Sequence, residues 1–185
     1  EPYDVTHINS VEEMAGGDLL ISLRHTDAVY RIDELTGEVV WKLGGTPTSR
    51  SLTTELDPNR PLFGGQHDAR QLADGTITVF DNGTDLERSP RAVRYRIAGG
   101  SARLIAQVRE PFTSRSRCCG SARRLPGSWL VSWGGTSIVS GFLPGGGRIF
   151  TLDLPGRFSY RAVPITTLGE RELIEGMNER HPPAR

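Results

Sequence analysis

Two histidines stand out for chemistry. His7 opens the stretch His7-Ile-Asn-Ser10, and His67 sits in Gly64-Gly65-Gln66-His67-Asp68, 60 positions later. Each begins a short strand followed by a turn and a second strand, so both take the same place in a repeating unit. Imidazole changes charge near neutral pH and can act as nucleophile, base or proton donor. One such histidine is most often satisfied by backbone hydrogen bonds; two at matching positions favour a shared role. Arginines form the second element. Arg88 and Arg91 flank Ser89-Pro90 just beyond Asp81-Asn82-Gly83, and Arg24 and His25 end a strand in the first unit. A planar guanidinium can hold two oxygens of a sulfate or phosphate at once, although loop arginines are commonly just solvated. The two cysteines, Cys118 and Cys119, are adjacent, and neighbouring cysteines bridge one another only with strain. They read as buried free thiols. No second pair or suitably spaced histidine makes them a metal site.

Short turn-linked strands must position these groups. The first unit reads as strands over 5–10, 19–24, 28–33 and 38–43, closing on Gly44-Gly45. The second reads as 66–71, 76–81, 91–97 and 102–109, and the third as 120–125, 129–134, 147–154 and 158–164. The proline-bearing segment 46–62 is a connecting loop, 82–90 a charged excursion, and 143–148 a glycine-rich hairpin loop. Residues 170–179 have the pattern of a short helix ended by Pro182-Pro183.

The fold class expected is therefore all-β, a partial β-propeller of about three four-stranded antiparallel blades (about 1–45, 63–110 and 118–165) with a tail at 166–185. Propellers close with about four to eight blades. The sequence thus predicts one propeller domain whose remaining blades precede Glu1. Blade-initiating strands line a central channel, which would bring His7 and His67 together there.

Charge is balanced, 22 basic against 22 acidic residues, which gives no electrostatic reason to expect nucleic acid as a partner. No apolar run is long enough for a membrane-spanning segment.

Taken as a set, His7-Ile-Asn-Ser10, Ser22-Leu-Arg-His25 with Asp27-Ala-Val29, Trp41-Lys-Leu-Gly-Gly45, Gly65-Gln-His67, Phe80-Asp-Asn-Gly83 and Arg91-Ala-Val-Arg-Tyr95 resemble the arylsulfotransferases. These are bacterial extracytoplasmic enzymes that use no nucleotide sulfate donor. The resemblance runs through residues 1–165. It implies a six-bladed propeller in a periplasmic, secreted or cell-envelope protein. It also implies ping-pong transfer of a sulfuryl group from an aryl sulfate to a phenol through a sulfated histidine, with no cofactor and no metal. Carried over by motif, His7, His67 and Arg88 are the catalytic residues. Arg91, Asn82, His25 and Arg24 are expected to bind substrate. The family's nucleophilic histidine belongs in the next blade, yet residues 112–142 contain none and read Cys118-Cys119-Gly120-Ser121 instead. That departure leaves Cys119 or Ser121 as alternative nucleophiles. It also leaves open a catalytically inactive ligand-binding or scaffold propeller of the cell envelope.

Overall fold

The structure, a computed structural model, describes residues 3–165. The helix expected at 170–179 lies outside the described residues.

Three β-sheets follow one another in chain order. The first is the meander β1 (Ile8–Glu13), β2 (Leu19–Leu23), β3 (Ala28–Ile32) and β4 (Val39–Gly44), all antiparallel. The second contains β6 (His67–Gln71), β7 (Ile77–Asp81), β8 (Arg91–Ala98) and β9 (Ser101–Val108). A short strand β5 (Thr53–Glu55) is added parallel to β9. The third is the antiparallel meander β10 (Ser121–Leu125), β11 (Ser128–Ser132), β12 (Ile138–Phe142) and β13 (Arg148–Asp153).

Alternation along the strands explains the stacking. In β7, Ile77 and Val79 join a core with Leu20, Val29, Leu43 and Phe63 of the first sheet and its connector. Phe80, pointing the other way, joins Trp129, Val131, Trp133 and Phe142 of the third sheet. A strand covered on both faces carries apolar residues without a polar side, and every residue of β7 is buried. Hence the middle sheet is clamped between its neighbours.

The first strands of the three sheets lie side by side. The Ala69 amide donates to Ser10 Oγ at 3.0 Å, joining β6 to β1, and the Ala122 amide donates to Asp68 Oδ2 at 3.3 Å, joining β10 to β6. Gln66 reinforces the first joint: its amide nitrogen donates to Ala28 O at 2.8 Å, Leu23 O at 3.1 Å and Ser22 Oγ at 3.2 Å. Asp68, fully buried, takes Arg70, Arg123 and Arg161 around one carboxylate. These convergent first strands give the sheets the arrangement of propeller blades.

The expected strands of the first two units are present within a few residues. The first begins at Ile8 rather than residue 5, because His7 has φ 51° and breaks the extended run. Two readings are corrected. The loop 46–62 contains β5, whose backbone pairs with the edge of β9. In the third unit the third strand is 138–142, so that 148–153 is the fourth, while 158–164 is not a strand.

Candidate functional site

The link from β2 to β3 is a 3₁₀ turn at Arg24–Thr26, which sets His25 beside the segment that enters β1. Backbone bonds lock the two together: the Arg24 amide donates to His7 O at 3.0 Å and the His25 amide to Thr6 O at 3.1 Å. The rings of His7 and His25 consequently stand 4.9 Å apart, centroid to centroid. Asp4 organises both. One carboxylate oxygen accepts the His7 amide at 2.9 Å and the other meets His7 Nδ1 at 2.5 Å. Its main-chain oxygen meets His25 Nδ1 at 2.8 Å. The His7 contact holds the Asp4 carboxyl below the usual range. Neither His7 Nε2 nor His25 Nε2 has a hydrogen-bond partner among the described residues, so each ring presents an open nitrogen beside its neighbour.

His67 joins this group at 6.5 Å from His7. The expected convergence of His7 and His67 is therefore seen, though not from matching positions. His67 is itself a ladder residue opposite Phe80, whereas His7 precedes the first ladder pair, Ile8 with Leu23. Their environments differ more. His67 is 1% exposed. Its Nδ1 lies 2.8 Å from Gly65 O and 2.9 Å from Asn82 Oδ1, while its Nε2 accepts the Cys119 amide at 3.1 Å. Both Nδ1 partners are acceptors and the Nε2 partner is a donor, which fixes a neutral ring protonated on Nδ1. Burial pulls its pKa down to about 4. Asn82, expected to bind substrate, is buried too and extends this network to Ser116 Oγ and Cys119 O.

The arginines divide in the same way. Arg91 is fully buried, with Nε 2.8 Å from Asp81, Nη1 2.8 Å from Asp57 and Nη2 2.9 Å from Leu62 O. It is held in a buried ion pair, where the sequence reading expected a side chain presented to substrate. Arg88 bonds Asp81 at 2.5 Å and Leu62 O at 3.0 Å, yet part of it faces a cleft of about 900 Å³. Arg24, Arg115 and Arg117 line that cleft as well. Arg24 also lines an adjoining cavity of about 480 Å³ that holds Asp4 and His25, so it stands between the two.

Neither alternative nucleophile is placed to react. The Cys119 thiol is buried, and burial followed by its contact with the Cys118 thiol pushes its pKa up to about 12. A thiol so raised is not a thiolate at neutral pH. Ser121 is buried at the start of β10, its hydroxyl bonding both O and N of Ala162. The functional residue that sequence reasoning missed is Asp4. Its spacing of three before His7 was the available signal, but nothing marks that irregular segment as a turn carrying a carboxylate back onto the ring.

Three comparisons bear on this site. The family model described as Arylsulfotransferase (ASST) matches residues 1–151. No curated protein matches the chain. Among solved structures, similar folds include a protein of unknown function from Bacteroides caccae, at 18% identity over 85% of this chain with a TM-score of 0.52. The β-propeller domain of Myceliophteria thermophila Cps50 (Swd1) aligns at 12% identity over 83% of this chain, TM-score 0.55. Hydrazine synthase of Kuenenia stuttgartiensis aligns at 11% identity over 87%, TM-score 0.52. At these identities the likeness is one of fold alone. The chain spans 49%, 45% and 39% of those three chains, about half their length or less.

Proposed function

Since the chain belongs to the arylsulfotransferase (ASST) family, we propose that it carries part of a site that moves a sulfuryl group from a phenolic sulfate ester to a phenol. The observation that carries this reading is the dual grip of Asp4, which fixes His7 through its carboxylate and His25 through its carbonyl and leaves both Nε2 atoms open.

In the first half-reaction, His7 Nε2 attacks the sulfur of the donor. An N–S bond forms, the S–O bond to the aryl group breaks, and protonated His25 delivers a proton to the departing phenolate. Asp4 stabilises the cationic ring that results at His7. In the second half, neutral His25 takes the proton of the acceptor phenol, whose oxygen attacks the same sulfur and releases His7. Negative charge on the sulfuryl oxygens in flight is met by Arg24, with Arg88 in the adjoining cleft wall. His67, its two nitrogens engaged, acts as a positioning residue. It ties Gly65, Asn82 and the Cys119 amide into one rigid support under the site. Family membership supports an extracytoplasmic setting for this chemistry, with further blades of the same protein completing the channel.

Transfer from 4-nitrophenyl sulfate to phenol by the intact protein tests the reading. His25→Ala, which removes the proton donor, should lower the rate roughly 10²–10⁴-fold, and His7→Ala, which removes the nucleophile, should abolish transfer. Full activity in the latter variant would remove His7 from the mechanism. One observation favours a second reading, a non-catalytic ligand-binding propeller: residues 112–142, the stretch in which the family resemblance expects the nucleophilic histidine, contain none. A sulfated residue detected after incubation with the donor would eliminate that alternative.

A further inference from the structure

The Asp4, His7 and His25 side chains also form a set of metal-donor atoms, a second capacity beside sulfuryl transfer. One donor atom from each, a carboxylate oxygen and two imidazole nitrogens, lies within 4.8 Å of the others. We propose that these three residues constitute a binding site for a divalent transition-metal ion of the zinc type, independent of whether the protein transfers sulfuryl groups.

The donor chemistry selects the ion. Two imidazoles with one carboxylate suit Zn²⁺ and its neighbours, whereas Ca²⁺ and Mg²⁺ take all-oxygen shells. Histidine and carboxylate donors bind zinc at about 2.0–2.2 Å in tetrahedral array, so two donors on one ion stand about 3.4 Å apart. Donor atoms now within 4.8 Å of one another must therefore draw in by up to roughly 1.4 Å. Half-exposed side chains can do this by small rotamer changes; those of His7 and Asp4 are 42% and 54% exposed. The proton now shared between His7 Nδ1 and Asp4 is exchanged through solvent to His7 Nε2 when the ion takes its place, and the ring stays neutral.

The surroundings supply the sign of the field. The cavity of about 480 Å³ beside His25 is lined by three carboxylates, Asp4, Asp27 and Asp85, against one guanidinium, Arg24. With neutral imidazoles, that lining attracts cations. It also means that the sulfuryl oxygens of the proposed reaction enter from the arginine-lined cleft on the far side of Arg24. The backbone bonds from Arg24 to His7 and from His25 to Thr6 hold the two histidine segments together before any ion arrives. Part of the ordering is thus already in place.

The test is a titration of the intact, chelator-stripped protein with Zn²⁺ by calorimetry and with Co²⁺ by visible absorption. One equivalent should bind, with a Co²⁺ spectrum of low coordination number. Mg²⁺ and Ca²⁺ at the same concentrations should not compete. His7→Ala, His25→Ala and Asp4→Asn should each weaken Zn²⁺ binding by at least the roughly 10–100-fold that loss of a mere outer-shell partner costs. Absence of a saturable Zn²⁺ site, or unchanged affinity in both histidine variants, would overturn the proposal. With zinc on His7 Nδ1 the ring carries its proton on Nε2, the atom assigned to attack on sulfur, so Zn²⁺ should also inhibit transfer with the same affinity. Zinc binding without any transfer activity would leave the metal site standing and remove the sulfuryl reaction; transfer without zinc binding would do the reverse.

Discussion

Acid should weaken this protein through His67, and the size of the effect follows from where that ring sits. In the unfolded chain an imidazole titrates near 6.5; in the folded protein burial brings His67 down to about 4. Between those values the unfolded chain takes a proton that the folded state refuses. The contribution of His67 to stability is therefore complete above about pH 6.5 and is lost progressively as the pH falls toward 4. The full difference corresponds to about 3 kcal/mol, and about 2 kcal/mol of it is gone at pH 5. Protonation must place a second N–H against the Cys119 amide, which is itself a donor. Urea denaturation of the intact protein from pH 8 to pH 4.5 measures the loss, and His67→Gln supplies the baseline for all other titrating groups. Wild type should lose about 2 kcal/mol more than the variant between pH 8 and pH 5. An NMR titration of the ring checks the same point without a substitution. Parallel stability curves, or a His67 ring titrating near 6.5 in the folded protein, would refute the argument.

Other perturbations follow from the same contacts. Arg91→Met strands the buried Asp57 carboxylate, leaves Asp81 to Arg88 alone and should cost about 3–5 kcal/mol in denaturant unfolding. Gln66→Leu removes the side-chain bonds to Ser22 Oγ, Leu23 O and Ala28 O between the first two sheets, and the same assay should show a loss of about 1–3 kcal/mol. Gly134→Ala would set a methyl 2.3 Å from the backbone of Cys118, Cys119 and Gly120. It should destabilise by about 3 kcal/mol and raise the His67 titration by displacing the amide that caps Nε2.

The sheets were legible in the sequence where strands alternate and turns carry glycine, as from Leu19 to Gly45 and from His67 to Val108. β5 was not, because Thr53-Thr54-Glu55 is too short to show a period and is held only by its parallel partner. β12 was hidden by its own composition: Ser140 and Gly141 interrupt the apolar run, and Gly141 is required there because a side chain would meet the Phe150 ring at 2.3 Å. At the site, the meeting of His7 and His67 followed from placing both near strand starts. What spacing does not carry is burial. Nothing in Asp81-Asn82-Gly83 or Arg91 distinguishes a solvated guanidinium from one sealed between Asp57 and Asp81, since Asp57 arrives from a loop 34 residues away. Asp4 and His25 were equally out of reach as a pair, because a tertiary backbone bond between Thr6 and His25 sets their contact.

The central claim is that His7, held by Asp4, receives the sulfuryl group. Brief incubation of the intact protein with 4-nitrophenyl sulfate in the absence of phenol, followed by quenching and peptide mass spectrometry, addresses it directly. The account predicts a sulfated peptide modified at His7, lost when phenol is added. A sulfate found on a different residue, or turnover of the donor with His7 never modified, would contradict it.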